Sequence, residues 1–185
     1  MNVKGTALTT TRDFVKNKFA DKFNVWLDSL PAESKSLYAG TIDATKWYPI
    51  KEGYLVPINK VVQLFYGSNA KRGGEEIGRY SAEIALKGFY KVFLLVASPA
   101  YLIRRASKIF STFYEPSEIG VVENGSLSAT LKIIKFDDID TALEHRIAGW
   151  VNKALELANC SNPSYKIGKS LVSGDACTEI IFSWE

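Results

Sequence analysis

Residues 118–135, EIGVVENGSLSATLKIIK, decide the fold class. Two runs, 119–123 and 126–135, are rich in β-branched residues and flank Asn124-Gly125, a dipeptide whose two residues both tolerate the positive φ of a tight hairpin turn. Two antiparallel strands are expected there. Working outward, residues 137–140 place Asp137, Asp138 and Asp140 where a helix N-terminus favours negative charge. Leu143, Ile147, Trp150, Val151, Ala154 and Ala158 then form one apolar stripe, ending near Asn159. Beyond it, 165–172 and 177–184 flank Ser173-Gly174-Asp175 as a second hairpin. Upstream, the spacing turns helical. Thr9, Thr10 or Thr11 caps a helix with Asp13 in its first turn, and its apolar residues Phe14 to Leu30 end at Pro31. Residues 40–49 bring a turn and a short extended segment. Residues 54–65 form another helix, stopped by Gly67, and Ser98-Pro99 opens one through Phe110 whose exposed face holds Arg104, Arg105 and Lys108. Helices, strand pair, helix, strand pair: this order predicts an α+β chain with helices packed on an antiparallel sheet of about four strands.

Residues 74–97 carry the helix expected at the centre of the core. Its polar residues fall every fourth position, at Arg79, Glu83, Lys87 and Lys91, and Arg79–Glu83 and Glu83–Lys87 are i,i+4 partners. Ile77, Ser81, Ile84, Ala85, Gly88, Val92 and Leu95 form one flank, with Leu86, Phe89, Tyr90 and Phe93 on another. So narrow a polar stripe must be covered on most sides.

The 185 residues, 46% hydrophobic and 23% charged, suit a single folded domain over 1–185, which at this length needs no disulfide or metal to close its core. The net charge of +3 does not point to nucleic acid or to a membrane surface. It hides an asymmetry: residues 1–115 hold 17 basic and 10 acidic residues, and 116–185 hold 6 and 10, which reads mainly as solvated faces of one domain, with attraction between the two parts or between two copies as the alternative. The first nine residues have no apolar signal core, and the longest apolar stretch, 92–97, is far short of a membrane span. A cytoplasmic chain is expected. Cys160 and Cys177 are expected as free thiols.

No phosphate-binding glycine loop, nucleophile elbow, zinc-type cysteine pair or paired-histidine helix is present. Gly73-Gly74 leads into Glu75-Glu76, which would repel a phosphate. His145, the one histidine, sits between Glu144 and Arg146 and reads as a solvent-facing helix residue. Without an acid, base or nucleophile constellation, no enzymatic activity is expected.

Several segments are similar to a known superfamily: Lys4-Gly5-Thr6 before a helix, Trp47-Tyr48-Pro49, Gly78-Arg79-Tyr80-Ser81-Ala82-Glu83, Ser98-Pro99 with Arg104-Arg105, Ala148-Gly149-Trp150, Gly174-Asp175-Ala176-Cys177 and Phe182-Ser183-Trp184. They resemble a bacterial branch of the superfamily uniting 4-vinyl-reductase-type ligand-binding domains, heme nitric-oxide-binding domains and Golgi transport-particle subunits. The resemblance implies helices and an antiparallel sheet enclosing an apolar ligand cavity, usually within a homodimer. Phenol-sensing relatives bind zinc through a late Glu-x-x-Cys and a further Cys, which match Lys166, Lys169 and Cys177 here. Two ammonium groups in place of two anions leave no zinc expected. Heme-binding relatives carry Tyr-x-Ser-x-Arg and an axial histidine. The first is missing and His145 lies in a late helix, so no heme is expected either. Cys177 is then a small buried residue of the last strand.

These readings converge on a non-enzymatic, homodimeric domain that holds a small hydrophobic molecule, a fatty acid or an aromatic, between the central helix and the sheet. Trp47, Phe89, Phe93, Tyr101 and Phe113 are expected to line the cavity, with Lys87 or Arg104 anchoring a carboxylate at its mouth. The alternative is an interaction or scaffold module with a filled core, binding a protein through its dimer surface or through the basic helix around Arg104.

Overall fold

The computed structural model describes residues 1–87 and 98–185. Helices pack on antiparallel sheet, as the periodicity predicts. The strands β4 (Glu118–Glu123), β5 (Ser128–Lys135), β6 (Ser164–Lys169) and β7 (Thr178–Ser183) form a sheet in the order β4-β5-β7-β6, all neighbours antiparallel. Both expected hairpins are there, and pairing of β5 with β7 joins them. Along β7, Thr178, Ile180 and Phe182 are buried, while Glu179, Ile181 and Ser183 between them are not. This is the period-two pattern of a strand with one covered face.

That face is covered by α6 (Pro99–Ser111) and α7 (Thr141–Leu157). Each begins at the cap its sequence supplies. The Ser98 side chain accepts from the Tyr101 N–H at 3.3 Å and Asp140 from the Leu143 N–H at 2.8 Å. Leu143, Ile147, Val151 and Leu155 of α7 are fully buried, each contributing roughly 1.5–3 kcal/mol by leaving water.

Above α7 lies α5 (Ala70–Lys87), and the two helices touch backbone to backbone. A Cβ on Gly74 would lie 2.1 Å from the Ala142 carbonyl oxygen, one on Gly78 2.1 Å from that of Arg146, and one on Gly149 2.6 Å from that of Glu75. Glycine permits this approach because it has no side chain there. The narrow polar stripe has its explanation in this crossing, with one difference. Arg79 turns away from Glu83 and makes a bidentate pair with Glu156 of α7 at 2.7 and 2.8 Å, while Glu83 pairs with Lys87 at 2.6 Å. The helix starts a turn earlier than residue 74, and its expected continuation from 88 to 97, with Phe89 and Phe93, lies outside the described residues.

The N-terminal part departs most from the sequence reading. Helix α1 (Gly5–Lys18) starts at Gly5, directly after β1 (Asn2–Lys4), rather than at Thr9–Thr11. The Thr9, Thr10 and Thr11 hydroxyls donate to the Thr6, Thr6 and Ala7 carbonyls inside the helix instead of capping it. A long-range contact sets the start: the Gly5 and Thr6 N–H groups donate to the Lys46 and Ala44 carbonyls, and a Cβ on Gly5 would meet Asp43. The helix then breaks at Phe19 before a short 3₁₀ turn and α2 (Phe23–Ser29), because the Phe19 ring packs against Phe14 and stacks 4.1 Å from Phe65. Next come α3 (Ala32–Ala39), β2 (Trp47–Pro49), a π-helical turn at Lys51–Leu55 and α4 (Val56–Phe65). Strand β1 lies between β2 and β3 (Tyr114–Glu115), a second small sheet.

Gly78→Ala is expected to destabilise the fold by about 1–3 kcal/mol, because the obstructing atom is backbone and the helices must separate. In thermal denaturation that is a fall of several degrees. An unchanged midpoint would refute the backbone contact.

Candidate functional site

Where α1, α5, α6 and α7 meet they leave a half-enclosed cavity of about 310 Å³. It is lined by Ala7 and Thr10 of α1, Ile84 and Ala85 of α5, and Ile109, Phe110 and Phe113 from the end of α6 and the residues just after it. Trp150 of α7 completes the apolar wall, and Tyr54, Tyr114, Ser81 and Arg146 bring polar atoms to it. The aromatic rings support one another: Phe110 meets Trp150 edge-on at 5.7 Å and stacks with Tyr114 at 6.2 Å.

The polar atoms form a chain. Arg146 is 4% exposed, and its two terminal nitrogens donate to Thr11 Oγ1 at 2.9 Å and Ser81 Oγ at 3.1 Å. Its guanidinium lies 4.5 Å from the centre of the Tyr54 ring, and the Tyr54 hydroxyl is 3.0 Å from that of Tyr114. Burial holds the pKa values of both tyrosines above the ordinary phenol value, so each stays a neutral phenol.

Of the residues expected at the ligand, Phe113 lines this cavity. Trp47 lies in the small sheet under the Lys4 ammonium, 4.3 Å from its ring centre. Lys87 ends α5 in its pair with Glu83. Tyr101 accepts from Arg105 Nε at 2.8 Å, and Arg104 is exposed on α6. Among the described residues the cation in the lining is Arg146, which was not among the residues expected at the ligand. Its place between Ile147 and Leu143 on the buried stripe was the available signal.

A second cleft, between α5, α7 and β6, holds Lys71, Glu75, His145, Asn152, Tyr165 and Lys166. Tyr165 donates to Glu75 Oε2 at 3.0 Å, so its oxygen accepts from His145 Nδ1–H, also at 3.0 Å. His145 is thus a half-buried member of a hydrogen-bonded chain rather than a solvent-facing side chain. Cys177 stands just ahead of β7 and is half-buried, with its sulfur 3.9 Å from Glu179 Oε1. Lys169 pairs with the same carboxylate at 3.3 Å. Among the described residues no group of three His, Cys, Asp or Glu side chains is placed to hold a metal ion, and no helix is long and apolar enough to cross a membrane.

With this geometry in place, comparison with solved structures defines the fold. The H-NOX protein from K. algicida in its Fe(II) unliganded form matches with a TM-score of 0.73 at 14% identity, over 98% of this chain and 96% of its own. The H-NOX protein from S. oneidensis in the Fe(II)NO ligation state matches with 0.72 at 13%, over 98% and 99%. A structure described by modulation of heme redox potential through porphyrin distortion matches with 0.66 at 12%, over 98% and 95%. No protein-family model and no curated protein matches the chain. At these identities the likeness is one of fold: the chain has the heme nitric-oxide-binding-like α+β fold.

These neighbours correct the expectation that heme is foreign to the chain, since they are described by their iron, their NO ligation and their heme. The cavity answers with its own donor set. The chain's one histidine, its one methionine and both cysteines are not among the described lining residues, and of the side chains that are, Tyr54 and Tyr114 carry the oxygens of a type that ligates heme iron.

Burial, reinforced by the Lys71 charge, holds the His145 pKa below the ordinary imidazole value. As pH falls through ~6.5 the unfolded chain takes up a proton that the folded chain refuses until its lower pKa is reached, so stability declines across that window. His145→Gln is expected to flatten this stretch of a plot of Tm against pH. An unaltered slope would assign the titration to another group.

Proposed function

We propose that the chain is a non-enzymatic, ligand-binding domain of sensor or carrier type, and that its ligand is a small hydrophobic molecule held in the cavity between α1, α5, α6 and α7. The half-enclosed, aromatic-lined space of about 310 Å³ carries this reading: it falls within the range of small-molecule sites, and apolar side chains dominate its wall. The alternative, an interaction module, requires a filled core, and this space argues against it. A homodimer is proposed from the family resemblance, with size-exclusion light scattering as its check.

Native mass spectrometry of protein isolated under mild conditions is expected to show a small-molecule adduct. The apolar probe 1-anilinonaphthalene-8-sulfonate is expected to bind one-to-one. Ala85→Phe fills the cavity and should remove both signals while circular dichroism stays native. A wild-type chain with neither adduct nor one-to-one binding overturns the reading.

A second reading, heme, is favoured by the H-NOX neighbours. Heme supplies an iron that takes a diatomic gas, and Tyr54 and Tyr114 are the residues that would hold it. Hemin titration decides: a Soret shift lost in Tyr54→Phe or Tyr114→Phe places porphyrin in the cavity, and a spectrum equal to free hemin counts against it.

A further inference from the structure

We infer that the molecule this cavity takes is a carboxylic acid with an apolar body, its carboxylate bound by the buried guanidinium of Arg146; this rests on the cavity being a ligand site. Arginine stays ionised at any physiological pH, and an ionised group taken out of water without a counter-charge is strongly destabilising. A buried arginine therefore calls for an anion, and the described residues supply none. The partners of Arg146 are neutral. The Thr11 hydroxyl donates to the Ala7 carbonyl and that of Ser81 to the Ile77 carbonyl, at 2.9 and 2.8 Å, so each offers the guanidinium a lone pair and no charge. Tyr54 offers the face of a ring.

The carboxylates of the same helix are engaged elsewhere. Glu144 is buried two residues away, where the Ser170 hydroxyl donates to it at 2.8 Å and that of Thr178 donates as well. Asp140 caps the helix and accepts from Asn59 Nδ2 at 2.7 Å. No Asp or Glu forms an ion pair with Arg146 among the described residues, and the undescribed stretch 88–97 contains neither residue type.

The chemistry on either side of the guanidinium selects the ligand. Its planar fork matches a carboxylate bidentately. The wall beyond it, Ala7, Ile84, Ala85, Ile109, Phe110 and Trp150, takes an apolar ring or short chain. The size suits a one- or two-ring acid. Lys87 and Arg104 have no part in this.

The test compares 2-naphthoate with 2-naphthylmethanol, equal in shape and differing in charge, by calorimetry on the full chain. Wild type is expected to bind the acid at least tenfold more tightly than the alcohol. Arg146→Met should abolish that preference with the alcohol's affinity within threefold of wild type, and Arg146→Lys should retain part of it. Equal affinities in wild type overturn the anchor and leave the cavity reading standing. If neither compound binds, both readings fall. Should Arg146→Met not fold, the wild-type pair decides alone, with methyl 2-naphthoate expected to bind as weakly as the alcohol.

Discussion

The arrangement depends on one close contact, the crossing of α5 over α7 at Gly74, Gly78 and Gly149. With backbones this near, side chains one step from the crossing reach across it. Arg79 meets Glu156 on one side, Ser81 meets Arg146 on another, and Glu75 extends to Tyr165 and through it to His145. The Arg79–Glu156 pair is partly exposed, its side chains 28% and 30% accessible, so it contributes at most about 1 kcal/mol. The buried apolar residues of α7 contribute several times that. Packing sets the crossing, and the ion pair follows from it.

The same crossing brings Arg146 into the interior. Its backbone carbonyl is the atom against which Gly78 rests, and its side chain runs to α1 and α5, whose hydroxyls receive it. A positive charge thus stands at the wall of an otherwise apolar space, next to two phenols kept neutral by burial. The small sheet completes the arrangement from the other end, because β1 starts α1 at Gly5 and β3 delivers Tyr114. Elements distant in sequence, residues 6–10, 54, 81–85, 109–114 and 146–150, therefore converge on one cavity.

How much of this could be read beforehand varies along the chain. The hairpin at Asn124-Gly125, the helix starts at Ser98-Pro99 and after the aspartates of 137–140, the helix stop at Gly67 and the alternation in β7 are local effects, and local sequence shows them. The start of α1 was not legible, because a contact with Ala44 and Lys46 forty residues on sets it and makes the threonine caps redundant. The two- and three-residue strands of the small sheet have no period to detect. At the candidate site, Phe113 was legible as a surplus aromatic. Arg146 was not, since an arginine beside histidine and glutamate on an amphipathic helix reads as surface.

By itself, then, the sequence determined the α+β class and the order of the elements from α6 to the end of β7 within the four-stranded sheet and its helices, because turn chemistry, capping and apolar period act over a few residues. Tertiary structure alone decided that the four-stranded sheet joins its two hairpins through β5 and β7, that Arg146 is internal, and that Trp150 and Phe110 face one space. Those facts depend on how close two helix backbones approach. That distance depends on glycines from both helices at once, and no single segment carries it.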